Sequence, residues 1–429
     1  MSSTLTRRDF VRAATVAAVG ASASRVRGAN DRLRLGFIGV GNRGSQLLAA
    51  TLSNPDVEVV ALCDVYEPYV KQQAAKVGGP VDTYRDFREL LDRDDIHGVL
   101  IATPDHWHAI QTIMACESGK DVYVEKPLSV TIREGRRMVE AARRYRRVVQ
   151  VGTHRRSSTL PPQLRQLVQD GVLGHVTVAR CYRISNMFPH GIGRAEDCEP
   201  PEGLDWDLWL GPRAYRPFSP TIAPYKFRWH SPYSSQVANW GVHYLDAIRW
   251  VLGEEAPRSI VALGGRFAVD DLRDIPDTME AVFELPSGCL LVFGQYEASN
   301  NPALRSGEIE LRGPLGTVYA SERSFEVLPE QAGQFGKPEP VADARTVKGL
   351  DGDLTALHIR NFLDCMRSRE TPNADVEVGH RSTTFPLLAN VALAERARIE
   401  WDPKHERILS PASANKHLHY EYRAPWKLG

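Results

Sequence analysis

The chain has 429 residues, 42% apolar and 25% charged, and its 53 basic and 53 acidic side chains cancel to a formal net charge of zero. That composition is ordinary for a globular protein, and the length suggests two or three domains. Balanced charge argues against a nucleic acid or an anionic membrane surface as the main partner, and no run after the first residues is long and apolar enough for a transmembrane helix.

The first stretch, MSSTLTRRDFVRAA, places Arg7 and Arg8 ahead of a weakly apolar run, Ala13 to Ala23. This order matches the twin-arginine export signal, a receptor-read address and not an anchor. Ala21-Ser22-Ala23 offers small residues for cleavage after Ala23, so residues 1–23 are expected to be a signal peptide. The expected location is periplasmic, with no stable membrane insertion after export.

Residues 33–41, LRLGFIGVG, form a short apolar run ending in glycines, as a buried parallel strand does. Gly39, Gly41 and Gly44 spell GxGxxG, with Asn42 and Arg43 inside it, and a helical pattern follows. Gly39 permits a tight turn, Gly41 lets backbone N–H groups approach a pyrophosphate, and Gly44 lets the helix pack closely on the strand. A second strand, VEVVALCD, ends at Asp64, about twenty residues beyond the glycines. A carboxylate there accepts from ribose hydroxyls and repels a 2′-phosphate, which favours NAD over NADP.

Helix and strand patterns then alternate through VVQVGTH, implying a doubly wound parallel sheet. Its strand ends carry Thr103-Pro104, Glu125-Lys126-Pro127 and Gly152-Thr153-His154, on the side where such sheets bind ligands. His106-Trp107-His108 offers an HxH pair with no third ligand close in sequence, so no metal is expected.

GFIGVGNRG, ATPDHWH and EKP together resemble the glucose–fructose oxidoreductase, inositol dehydrogenase and MocA family. The resemblance continues through VGTHRRS, DWDLWLGP, NWGVHYLD and HIRNFLDCMRS, and looks closest to an exported, twin-arginine branch. It implies an NAD-binding Rossmann domain, residues 33–153, followed by an α+β domain, residues 154–429. The second domain should carry a large open, mostly antiparallel sheet that builds a homodimer or homotetramer. The same motifs put Thr103, Pro104, His108, Glu125 and Lys126 beside the cofactor.

Beyond residue 153 the β-rich runs HVTVARCYRI, SIVALGGRFAV, TMEAVFEL, CLLVFGQYEA and EIELRG fit that sheet. The segment from Pro200 to Pro232 reads as a long ordered loop. Its Trp206, Trp209, Tyr225, Phe227 and Trp229 suit either packing or stacking on a sugar ring. In QVANWGVHYLDAIRWVLG, apolar residues recur at helical spacing and Gly253 suits a helix end. Asn239 and His243, four apart, share a face, with Asp246 three further on. The resemblance aligns a catalytic Asp–His pair on Asn239 and His243. Asn239 departs from that pattern, since an amide takes no proton, although it still hydrogen-bonds a hydroxyl.

Oxidising a carbinol needs a hydride acceptor and a base. Lys126 is placed to stabilise an alkoxide or relay its proton, and His243, with an ordinary pKa near neutrality, is the expected base. His154, Arg155, Arg156, Tyr182 and Asn186, with His243 and Asp246, are the candidates for binding a small-molecule carbohydrate. The six cysteines show no CxxC and read as small core residues, with no disulfide expected. The expected activity is an exported oxidoreductase acting on a sugar, polyol or related carbohydrate with a tightly held NAD(P). Two alternatives remain open: a redox-neutral glycoside-cleaving enzyme working by transient ring oxidation, and a non-catalytic carbohydrate-binding protein on the same scaffold.

Overall fold

The structure, a computed structural model, describes residues 32–349 and 352–429. The expected leader and its cleavage point lie outside the described residues. Among those residues, no helix is long and apolar enough to cross a membrane.

Six strands, β1 (Leu33–Ile38), β2 (Val57–Cys63), β3 (Asp82–Tyr84), β4 (Gly98–Ile101), β5 (Asp121–Val124) and β6 (Val149–Val151), form one sheet. Its order is β3-β2-β1-β4-β5-β6 and every pairing is parallel. The central strands are buried along most of their length, because helices cover both faces. The strand order reverses direction between β1 and β4, which opens a crevice at their carboxyl ends.

The second sheet has ten strands: β7 (Val178–Ile184), β8 (Ser259–Gly265), β9 (Thr278–Glu284), β10 (Leu290–Tyr296), β11 (Ile309–Arg312), β12 (Gly316–Ala320), β13 (Ser324–Pro329), β14 (Arg345–Lys348), β15 (Ile399–Asp402) and β16 (Arg407–Ser410). The order is β14-β13-β12-β11-β7-β10-β9-β8-β15-β16, antiparallel except where β7 meets β10. The sequence patterns mark β7 to β11. The five they miss are short strands of four to six residues added at the two ends of the sheet.

Period-two alternation separates the two faces. Cys181, Phe293, Ala281 and Ala262 lie in register and join the main core, under helices Leu160–Gln169, Val242–Leu252 and Val376–Glu395. Their neighbours Tyr182, Gly294, Glu280 and Leu263 point to the other side, where Leu263 is 79% exposed. All six cysteines are free, and Cys181 is buried in the core while Cys198 is exposed.

The chain returns late to the nucleotide-binding half. Ile359, Phe362, Leu363 and Met366 of helix Leu354–Ser368 join the core beneath β1 and helix Asn42–Leu52. Segment 200–233 folds over the same half, with Trp206 stacked on Trp209 at 4.8 Å and Phe218, Phe227 and Tyr233 around them. Packing therefore claims most of these aromatic rings.

Candidate active site

The glycine turn fits a dinucleotide for reasons visible in its backbone. Gly39 has φ +83°, and a Cβ there would lie 2.7 Å from the Ala102 carbonyl. A Cβ on Gly44 would come within 2.1 Å of the Gly39 oxygen, so helix and strand approach too closely for any side chain. Helix Asn42–Leu52 begins with no side-chain cap and no acidic residue in its first turn. Its free N–H groups and positive dipole end form an anion site. Asp64 closes the far side. Its carboxylate accepts from the Val40 N–H at 2.8 Å and the Tyr66 N–H at 3.0 Å. Burial raises its pKa to about 6 against those bonds.

These groups line a cleft of about 310 Å³ that runs from Gly41 and Asp64 past Thr103 and Pro104 to Lys126 and Asn239. Trp209, Tyr225, Phe227 and Arg228, from segment 200–233, form the opposite wall. At the inner end, Lys126 Nζ donates to the Asn239 main-chain oxygen at 3.0 Å. Burial, joined by the charges of Arg228 and Arg43, lowers the Lys126 pKa to about 8 despite Glu125. His243 lies near, its Nδ1 buried with no hydrogen-bond partner, and its ring centroid is 5.2 Å from that of His154. Burial first, then the charge of Lys126, holds His243 well below its usual pKa, and burial puts His154 at about 3.

Two family models match this chain. The oxidoreductase family's NAD-binding Rossmann fold, Gfo/Idh/MocA, covers residues 33–153, and the same family's C-terminal alpha/beta domain covers residues 158–342. The chain belongs to the Gfo/Idh/MocA oxidoreductase family. Residues 33–153 are an NAD-binding Rossmann domain. The rhizopine catabolism protein MocA of Rhizobium meliloti is 25% identical over 257 residues, 60% of this chain and 69% of that protein. A glycosyl hydrolase family 109 protein of Shewanella is 34% identical over 154 residues. There the chain spans about a third of the relative's length, 34%. The WlbA dehydrogenase from Bordetella pertussis, solved with NADH and UDP-GlcNAcA, superposes with a TM-score of 0.64 at 18% identity, covering 86% of this chain and 99% of that one. A likeness at that identity speaks for the fold.

Within this Gfo/Idh/MocA chain, several expected site residues are engaged elsewhere. Arg43 Nε donates to Glu125 Oε1 at 2.8 Å, so these two lining residues neutralise each other instead of presenting free charges to a cofactor. Burial pushes Glu125 up, but Arg43 and Lys126 outweigh it and leave its pKa low. His108 does not reach the cleft. It is fully buried, with Nδ1 2.8 Å from the Pro127 oxygen and Nε2 3.0 Å from the Thr103 oxygen, and so clamps two strand-end loops together. His106 faces the Trp209 carbonyl at 2.9 Å.

The substrate residues need more correction. Arg156 and Asp246 form a buried ion pair, Nε to Oδ1 and Oδ2 both at 2.9 Å, closed by Ser382 and the Trp250 ring. Both are buried and hold helix Val242–Leu252. Arg155 pairs with Glu308 at 2.8 Å and lines a separate apolar pocket. Tyr182 stands on the outer sheet face beside Tyr296. Asn186 is exposed, its side chain accepting from the Phe188 N–H at 3.0 Å. Asn239 does line the cleft, but on a π-helical turn, Val237–Gly241, that precedes the regular helix. The wider turn alters the shared face expected from four-residue spacing, and such turns recur at functional sites. His243 also differs from expectation: its ring is neutral at neutral pH and its conjugate acid is strong, so it is a poor proton store.

Sequence reasoning missed Arg228, Tyr225 as a cleft wall, Asp105 and Arg183. Tyr225 was visible only as one of a group of aromatics. Arg183 lies on β7 one residue past the chosen Tyr182, and strand alternation alone could have found it once the inner face was known.

Proposed function

We propose that the protein is an NAD-dependent oxidoreductase acting on a hydroxyl-bearing carbon of a sugar, polyol or related carbohydrate. It works after export by the twin-arginine route, on a dinucleotide it keeps bound. Lys126 in the lining of the cleft that begins at the glycine turn, with His243 buried near enough to feel its charge, carries this reading. When bound, NAD supplies the acceptor for a carbinol hydride. Lys126 uses one hydrogen on Asn239, which fixes the amine and leaves its other positions for a substrate oxygen. With a pKa of about 8 it changes protonation close to neutral pH and is the better proton acceptor of the pair. His243, neutral, orients the hydroxyl. The wall of Trp209, Tyr225 and Phe227 excludes water from that end.

An exported enzyme meets little free cofactor, so oxidation and reduction must alternate on one bound dinucleotide. The test is the absorbance spectrum of the purified protein, with its extracted cofactor identified, before and after a panel of sugars and aryl glycosides. Accumulating NADH supports the oxidoreductase. The resemblance to the family 109 glycosyl hydrolase over 154 residues favours a second reading, net glycoside cleavage by transient oxidation. Release of an aglycone with no lasting NADH would move the assignment there.

A further inference from the structure

Two guanidinium groups, Arg228 in the cleft lining and Arg183 on the Trp240 ring, make no hydrogen bond or ion pair with a carboxylate among the described residues. Arg228 lines the cleft with Lys126 and lies over the Tyr225 ring, 4.4 Å from its centroid. No hydrogen bond or ion pair among the described residues holds it, and its Nε is buried unpartnered. Arg183 leaves the inner face of β7 and stacks on Trp240, Cζ 3.8 Å from the ring centroid. Trp240 in turn lies 6.4 Å from the His243 ring. The neighbouring acids hydrogen-bond elsewhere, although Asp105 still feels the charge of Arg228 and Glu297 that of Arg183. Glu125 pairs with Arg43, Glu297 accepts from Arg273, Trp229 and Gln236, and Asp105 accepts from Ser234.

Arg228 is held in place. Its short 3₁₀ turn, Lys226–Trp229, is tied down by Lys226 Nζ donating to the Ile192 oxygen at 2.7 Å, and His230 Nε2 lies 2.8 Å from the Thr221 oxygen. A partly buried cation with no carboxylate in hydrogen-bond reach is costly. It is retained here at the point where its charge acts on Lys126. A neutral sugar would offer these guanidiniums hydroxyls alone. A carboxylate matches a guanidinium fork with two charge-assisted hydrogen bonds. The cofactor's pyrophosphate is the other anion in reach of the cleft, and its cradle would be Gly41 and Asn42.

We propose that the substrate is a sugar acid, its carboxylate held by Arg228 with Arg183 as a second cationic contact. This rests on the oxidoreductase reading above and names the substrate class of that site. The test uses the NAD-loaded protein and matched pairs, gluconate against glucose and galacturonate against galactose. The acids should reduce the bound cofactor with kcat/KM at least about tenfold above their neutral partners. Arg228→Met should cut that ratio by about tenfold or more, chiefly through KM, and Arg228→Lys should recover part of it. Equal rates for acids and neutral sugars would overturn the proposal. So would an Arg228→Met protein that loses NAD while keeping the ratio, since Arg228 would then serve the pyrophosphate. If no sugar changes the cofactor's redox state, the oxidoreductase reading fails separately. Calorimetric titration of galacturonate and gluconate into the native and Arg228→Met proteins then decides: binding that needs Arg228 upholds the anion site, and no binding overturns it.

Discussion

The Lys126 amine donates to the main-chain oxygen of Asn239 at 3.0 Å, which ties the end of β5 to the π-helical turn before His243. The contact brings together two residues 113 apart in sequence, one from each half of the chain. It also fixes which group titrates. His243 and His154 are neutral well below pH 7, so Lys126, with a pKa of about 8, is the group of this cluster that changes charge near neutrality.

In the proposed oxidation of a hydroxyl, the neutral amine is the proton acceptor. Its fraction grows as pH rises through about 8, so kcat/KM should rise across that point and level off above it. Lys126→Met should lose at least about a hundredfold in kcat while retaining NAD. Asn239→Asp adds a carboxylate to the cleft lining that Lys126 shares, which should stabilise the ammonium and move the inflection to higher pH. A pH–rate series on the three proteins checks this, and an unmoved inflection in Asn239→Asp would remove Lys126 as its source.

Asp64 sets a second pH dependence. Its pKa of about 6 means that the ionised form, the stronger acceptor for ribose hydroxyls, is lost as pH falls through that value. NAD affinity should therefore weaken below about pH 6 and be flat above it. Asp64→Ala should weaken NAD by about tenfold or more and narrow the gap between NAD and NADP, because the repulsion of a 2′-phosphate goes with the charge. Fluorescence titration with both dinucleotides from pH 5 to pH 8 reads both effects.

The Arg156–Asp246 pair predicts stability, not specificity. Both side chains are buried, and removing one leaves the other charge without a partner. Asp246→Asn or Arg156→Met should cost roughly 3–5 kcal/mol in denaturant unfolding. If either variant instead unfolds like the native protein but shows a raised KM, the pair belongs to the substrate site after all.

The open sheet face carries the exposed apolar side chains Leu263, Phe267 and Leu290. Exposed apolar clusters of this kind mark association surfaces. A homodimer or homotetramer built there should dissociate on Leu263→Glu, as measured by light scattering after gel filtration. A native protein that elutes as a monomer would put the interface aside.

The nucleotide-binding half was legible in the sequence because its chemistry is local. Gly39, Gly41 and Gly44 serve one turn, and Asp64 ends the next strand, so a short window contains both signal and cause. Lys126 was legible for the same reason, at the end of a strand whose direction the alternating pattern fixes. The substrate end was not. Tyr182 and Arg183 are adjacent, and which of them faces the covered side of the sheet depends on which face the helices pack against, a fact set by residues far away in the chain. Arg155, Arg156 and Asp246 were read as binding groups because they are charged and near a motif. Only packing shows that Glu308 and Ser382, more than a hundred residues distant, engage them.

By itself, then, the sequence determined the fold class, the NAD-binding turn and the position of Lys126, since backbone conformation and strand polarity are written in neighbouring residues. The tertiary structure decided which charges meet. It paired Arg43 with Glu125 and Arg156 with Asp246, left Arg228 and Arg183 without a hydrogen-bonded carboxylate, and set the proton affinities of Lys126 and His243. Burial and the distance between charges govern those outcomes, and neither exists until the two halves of the chain are packed together.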